Sequence, residues 1–117
     1  MRRKRRSLIR ELDKIFSAYM RQKIGKCENC GKKDNLQVHH LFSRKFLPLR
    51  YDPRNIIILC PACHFHFHQN PLLWGEKIKK KLGEEEYNKL LEDAKKIKKI
   101  NNEELEELLE KLKKEVL

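Results

Sequence analysis

The sequence predicts an α+β fold: a small cysteine-rich ββα core between one N-terminal helix and about three C-terminal helices. Three observations carry this. Two Cys-x-x-Cys pairs, Cys27/Cys30 and Cys60/Cys63, bracket short strand-like stretches. All five histidines lie in two short segments, LQVHH (His39, His40) and CPACHFHFH (His64, His66, His68). On either side, apolar residues recur at helical spacing.

In chain order, Leu8, Leu12, Ile15, Phe16, Tyr19 and Met20 predict a helix over 7–24, with Ser7 as N-cap and Gly25 as terminator. CENCGKKDN, with Gly31 after the second cysteine, reads as a metal-knuckle turn. Residues 36–40 read as a short strand, 43–55 as a loop carrying two prolines, and 56–60 (IIILC) as a β-branched apolar strand. A short helix over 61–68 follows, with Pro61 in its first turn. Asn70-Pro71 reads as a helix start, with Asn70 as cap and Leu72, Leu73, Ile78 and Leu82 behind it. Gly83 ends that helix. Tyr87, Leu90, Leu91, Ala94 and Ile97 mark another. Asn101-Asn102 opens the last, with Leu105, Leu108, Leu109, Leu112 and Val116 on one face. Such leucine stripes are packing faces, for the first helix or for a second copy in a homodimer. The expected organisation is residues 1–25, basic arm and helix; 26–69, four-cysteine core; 70–117, helical extension.

The 117 residues are 39% hydrophobic and 38% charged, which permits one core of modest size. No apolar run is long enough for a membrane span, and the basic MRRKRR start is followed by LIRELDKIF, too charged for a signal peptide. The expectation is a cytoplasmic protein with reduced thiols, so that four cysteines are metal ligands and not two disulfides. The net charge is +11. Residues 1–33 carry 12 Lys and Arg against 3 Asp and Glu, a net +9, whereas residues 76–117 carry 12 against 12. A basic field concentrated at one end suits a polyanion, nucleic acid above all, against the plainer alternative of a solvated tail.

Each cysteine pair offers two thiolates at an edge of a tetrahedron, and two pairs close a four-thiolate shell around Zn²⁺. With four protein ligands that zinc is structural. Four buried free thiols, or a redox Cys-x-x-Cys duplicated without use, explain the pattern less well. Cys60 and Cys63 are then used up, and the histidines are available for a second, divalent ion. His64 and His68, four apart on a helix, share a face, while His66 points elsewhere. His39 and His40 face opposite ways on a strand, so one of them can join His64 and His68 and the other stays beside the site. Imidazole donors suit Zn²⁺, Ni²⁺, Co²⁺ or Mn²⁺ better than Mg²⁺.

LQVHHL, Asn55 fifteen residues after His40, and His64 nine residues after Asn55 together resemble the His-Asn-His (HNH) endonucleases, whose ββα-metal core also occurs in colicin DNases and homing endonucleases. The likeness covers residues 27–68, and the cysteine-flanked form is a common subtype. ELDKIFSAYMR, FSRKFLPLRYDPRN and the helical tail are also similar to the phage recombination protein NinG family. That family often has Gly where His39 stands and Asn where His64 stands. The resemblance implies that His40 is the general base, that His39 and His64 hold the catalytic ion with His68 as third ligand, and that Asn55 fixes the loop and orients His40. It further implies a DNA substrate, hydrolysis to 5′-phosphate and 3′-hydroxyl ends, Mg²⁺ as a further choice of ion, and, through NinG, branched DNA in a bacterium or phage-infected cell. Arg44, Lys45, Arg50 and Arg54, in the loop beside this site, are candidates for phosphate contacts. Two rival readings are a non-catalytic zinc-knuckle nucleic-acid-binding module and a small zinc protein that docks a partner on its leucine face.

Overall fold

The computed structural model describes residues 4–41, 47–96 and 99–116. Helix α1 (Arg5–Ile24) is followed by the cysteine turn, strand β1 (Gln37–His40), a one-turn helix α2 (Leu47–Arg50), a 3-10 turn (Pro53–Asn55) and strand β2 (Ile56–Leu59). Helices α3 (Pro61–Gln69), α4 (Pro71–Leu82), α5 (Glu84–Lys95) and α6 (Asn102–Val116) complete the chain. The fold is α+β, with β1 and β2 as an antiparallel pair. No helix among the described residues is long and apolar enough to cross a membrane.

The register of the pair decides how the site is built. Gln37 lies opposite Leu59, Val38 opposite Ile58, His39 opposite Ile57 and His40 opposite Ile56. Cross-strand partners share a face. Ile56 and Ile58 belong to a core with Leu8, Leu12, Phe16 and Met20 of α1 and Leu105, Leu109 and Leu112 of α6. Ile57 and Leu59 belong to a second core with Cys27, Cys60, Cys63 and Trp74. Strand β2 is therefore covered on both faces, which is why its sequence is an unbroken apolar run and not an alternation.

Several local expectations shift for identifiable reasons. Helix α1 begins at Arg5 with Lys4 as N-cap, and Ser7 is an exposed helical residue and not the cap. The two extra residues are anchored by Arg5, whose guanidinium donates to Asn102 Oδ1 and to the carbonyl of Ile100, both at 2.8 Å. Gly25 ends the helix in the left-handed region at φ 73°. Asn70 precedes α4, but its side chain makes no cap there; it donates back to the His66 carbonyl of α3 at 3.1 Å. Leu72 and Leu73 are exposed, and Trp74 and Ile78 are the residues α4 buries. The segment expected as loop over 43–55 contains α2 and the 3-10 turn, while residues 42–46 lie outside the described residues. Asn101 does cap the last helix, its Oδ1 accepting from Glu104 N at 2.8 Å. Leu105, Leu109 and Leu112 of α6 pack on α1 within the same chain, so the face that suggested a homodimer is already covered. Ile97 lies outside the described residues, as does the side chain of Val116.

Candidate metal centres and active site

Cys27 and Cys30 lie on the turn after α1. Gly31 adopts φ +83°, its N–H donates to the Cys27 carbonyl at 2.9 Å, and Cys27 N–H donates to the Lys32 carbonyl at 2.7 Å. Cys60 is the N-cap of α3, and Cys63 lies in its first turn. All four are free thiols, and their sulfurs lie within 4.8 Å of one another, Cys30 and Cys60 at 3.6 Å. Thiolates bound tetrahedrally to Zn²⁺ at ~2.3 Å stand ~3.8 Å apart, so the donor set fits such an ion. Burial raises the Cys27 thiol, but the N–H groups of Cys30, Cys60 and Asn29 outweigh it and bring it down to about 6. Cys63 receives a hydrogen bond from Asn29 that favours its thiolate, yet burial and the other three sulfurs push it up to about 12. A bound divalent cation would reverse that repulsion.

The second cluster forms where β1 crosses α3. His39 shares the face of Ile57, and its Nδ1 lies 2.9 Å from Nε2 of His64. The His68 ring stacks on His64 at 4.8 Å between centroids and meets His39 edge-on at 5.1 Å. One donor nitrogen from each of the three lies within 4.8 Å of the others. Gln37, two residues before His39 and hence on the same face, accepts from His64 Nδ1 at 2.5 Å. A carbonyl oxygen only accepts, so Nδ1 of His64 carries the proton and Nε2 presents its lone pair to the cluster. Burial, then the proximity of His64, His68 and His40, lowers His39 to about 4. Burial and then His68 lower His64 as well. Both are neutral imidazoles at neutral pH, the form that binds metal. His66 is turned away, accepting from Trp74 Nε1 at 3.0 Å.

His40 lies on the other face of β1, opposite Ile56. Its Nε2 is 2.9 Å from the Arg50 carbonyl, so Nε2 is the protonated nitrogen and Nδ1 the basic one. Arg50 closes α2, and residues 49–55 are tied to their surroundings by several hydrogen bonds. Asn55, fully buried, donates from Nδ2 to the Leu49 carbonyl at 2.9 Å, and its own carbonyl accepts from Leu41 N at 2.8 Å. Asp13 of α1 receives both Arg50 Nε (2.8 Å) and an Arg50 terminal nitrogen, and also the Tyr51 hydroxyl at 2.8 Å. His40, Asp13, Phe16, Ser17, Val38 and Tyr51 line a cavity of about 210 Å³.

Two of the four arginine and lysine candidates, Arg44 and Lys45, lie outside the described residues. The other two are engaged within the chain. Arg50 is held by Asp13, and Arg54 by Asp52 (2.7 Å) and Asp93 (2.8 Å). These carboxylates keep both guanidiniums firmly protonated, the hydrogen bonds being the largest influence in each case.

Residues 27–70 match the family model of the HNH endonucleases. No curated protein and no solved structure matches the chain. The HNH match begins at Cys27 and ends just after α3, so it contains both clusters, His40 and Asn55, and leaves α1 and the helices from α4 onward outside. Sequence reasoning missed four residues that shape this HNH region: Gln37, Asn29, Trp74 and Asp13. Gln37 alone left a signal, since strand parity puts it on the His39 face. The other three act through contacts between distant parts of the chain.

Proposed function

We propose that the protein is a metal-dependent DNA endonuclease that hydrolyses phosphodiester bonds with water as nucleophile. The observation that carries this is the split of two adjacent histidines. His39 joins His64 and His68, while His40 lies on the other face of the strand and is hydrogen-bonded through Nε2, the tautomer that places the basic lone pair on Nδ1. His39, His64 and His68 would hold the divalent ion, and Cys27, Cys30, Cys60 and Cys63 a structural Zn²⁺. When bound, the catalytic ion supplies charge neutralisation at the scissile phosphate and at the leaving 3′ oxygen. His40 takes the proton from the attacking water at Nδ1. Asn55 acts at one remove: it fixes the Leu49 carbonyl and with it the neighbouring Arg50 carbonyl that orients His40.

Arg44 and Lys45 are our candidates for phosphate contacts, together with the basic N-terminal arm. We assign Arg50 and Arg54 to the architecture of the loop, because each is already closed on carboxylates. Selectivity for branched DNA or recombination intermediates rests on the NinG likeness alone. The test is cleavage of duplex, single-stranded and four-way-junction DNA in the presence of Mg²⁺, Mn²⁺, Ni²⁺, Co²⁺ or Zn²⁺. The expected result is metal-dependent cleavage of at least one substrate, leaving 5′-phosphates. Salt-dependent binding with no cleavage under any of these ions would replace the enzyme with a binding module.

A further inference from the structure

The first cysteine turn and α4 share a chain of polar contacts that hydrolysis does not require. Asn29 stands between Cys27 and Cys30. Its Nδ2 donates to Cys63 Sγ at 3.3 Å, and its Oδ1 accepts from Lys77 Nζ at 3.1 Å. An ammonium has only donors, so the amide oxygen must face Lys77, and that turns the NH₂ group toward the sulfur. Lys77 in turn lies 4.8 Å from the ring centroid of Trp74, which is buried among Cys27, Cys60 and Cys63. One turn along α4, Lys81 pairs with Glu28 at 2.8 Å, and Glu28 accepts from Ile58 N at 2.7 Å.

We propose that Asn29, oriented by Lys77, is a positioning residue for the four-cysteine metal centre, and that α4 thereby sets how firmly the zinc is retained. Four thiolates around one Zn²⁺ leave a net negative charge. An N–H donor on one sulfur, with an ammonium behind it, draws density from that thiolate. The sulfur is then a weaker target for protons and slower to detach from the metal. Helix α4, which lies beyond the HNH match, is on this view part of the metal centre and not an appended extension. The inference rests on the reading of the cysteine cluster as a zinc site.

The experiment follows zinc release from the purified, zinc-loaded full chain to an excess of a colorimetric chelator. Outer hydrogen bonds to metal ligands are typically worth about 10–100-fold in affinity. Asn29→Ala is expected to release zinc about tenfold faster or more. Asn29→Asp keeps a partner for Lys77 but sets a carboxylate against the sulfur, and releases zinc faster still. Lys77→Met moves release in the same direction by a smaller factor. The double variant Asn29→Ala/Lys77→Met matches Asn29→Ala alone, because Lys77 acts through Asn29. In the Co²⁺-substituted chain the sulfur-to-metal charge-transfer band shifts to lower energy in Asn29→Ala, and stays put in the control Lys81→Met. A wild-type release rate and an unshifted band in Asn29→Ala overturn the proposal while leaving the zinc site intact. A wild-type chain that purifies without zinc and takes none up overturns the zinc site, and the proposal with it.

Discussion

Cys63 and His64 are neighbours on α3, yet they serve different clusters. Cys63 turns to the knuckle after α1 and meets three further sulfurs, in a core closed by Ile57, Leu59 and Trp74. His64 turns to β1 and meets two further imidazoles, with His68 exposed at the edge. The first cluster offers four sulfur donors, three of them on buried residues. The second offers three imidazole donors on a partly open surface. A tetrahedral ion is saturated by the first and left with an open position by the second. On the proposed function, the difference separates a centre that holds the fold from one that can admit a phosphate.

The largest expected effect breaks the first cluster. Structural zinc contributes on the order of 10 kcal/mol in small domains, comparable to the whole stability of a typical one, about 5–15 kcal/mol. Cys60→Ser/Cys63→Ser should therefore lose the metal and the cooperative melting of the ββα core, as read by metal analysis and circular dichroism. Zinc-free protein with an unchanged melting profile would erase the distinction between the clusters.

Next in size is His40→Ala. It should keep the fold, both metals and DNA binding, and lose about 10²–10⁴-fold in single-turnover cleavage, the usual contribution of a general base. Wild-type cleavage by the variant would remove His40 from the mechanism. His64→Ala should lower divalent-ion affinity at the second cluster by at least about tenfold, with the cysteine-bound zinc retained. Titration calorimetry with the metal content of the chain checked beforehand decides this, and loss of both metals together would mean the two centres are one unit.

The smallest effect is a pH dependence of stability with the second cluster metal-free. His39 lies near 4 in the fold against 6.5 when unfolded, so between those values the unfolded chain binds the extra proton. Its contribution is complete above about pH 6.5 and is lost as pH falls toward 4. Thiolate protonation acts in the same direction, so the informative quantity is the difference in Tm between wild type and His39→Gln. That difference should change across pH 4–6.5 and be flat above it; a difference constant throughout would place His39 outside any buried cluster.

Much of this architecture is legible in local sequence. The cysteine pairs, the apolar strand IIIL, the helix stripes of α1 and α6 and the i, i+4 pair His64/His68 depend on spacing alone, and local geometry converts spacing into direction. Leu72 and Leu73 show where that conversion fails. They have the composition of a packing face, but the second core is closed by Trp74, whose ring reaches the cysteines from α4. Arg50 and Arg54 show a related effect: their sequence context gives no sign of the distant carboxylates, Asp13 and Asp93, that are folded against them.

His39 and His40 mark the boundary most clearly. Strand parity by itself determines that the two side chains point to opposite faces, so that only one can join His64 and His68. It does not determine which. That choice belongs to the pairing of His39 with Ile57 and of His40 with Ile56, and to the packing of α3 on one face and α1 on the other. A register shift of one residue would exchange the two histidines with no change in the sequence. The proposed ligand and the proposed base are thus specified as a pair by the chain, and told apart only by the side of the sheet on which each helix lies.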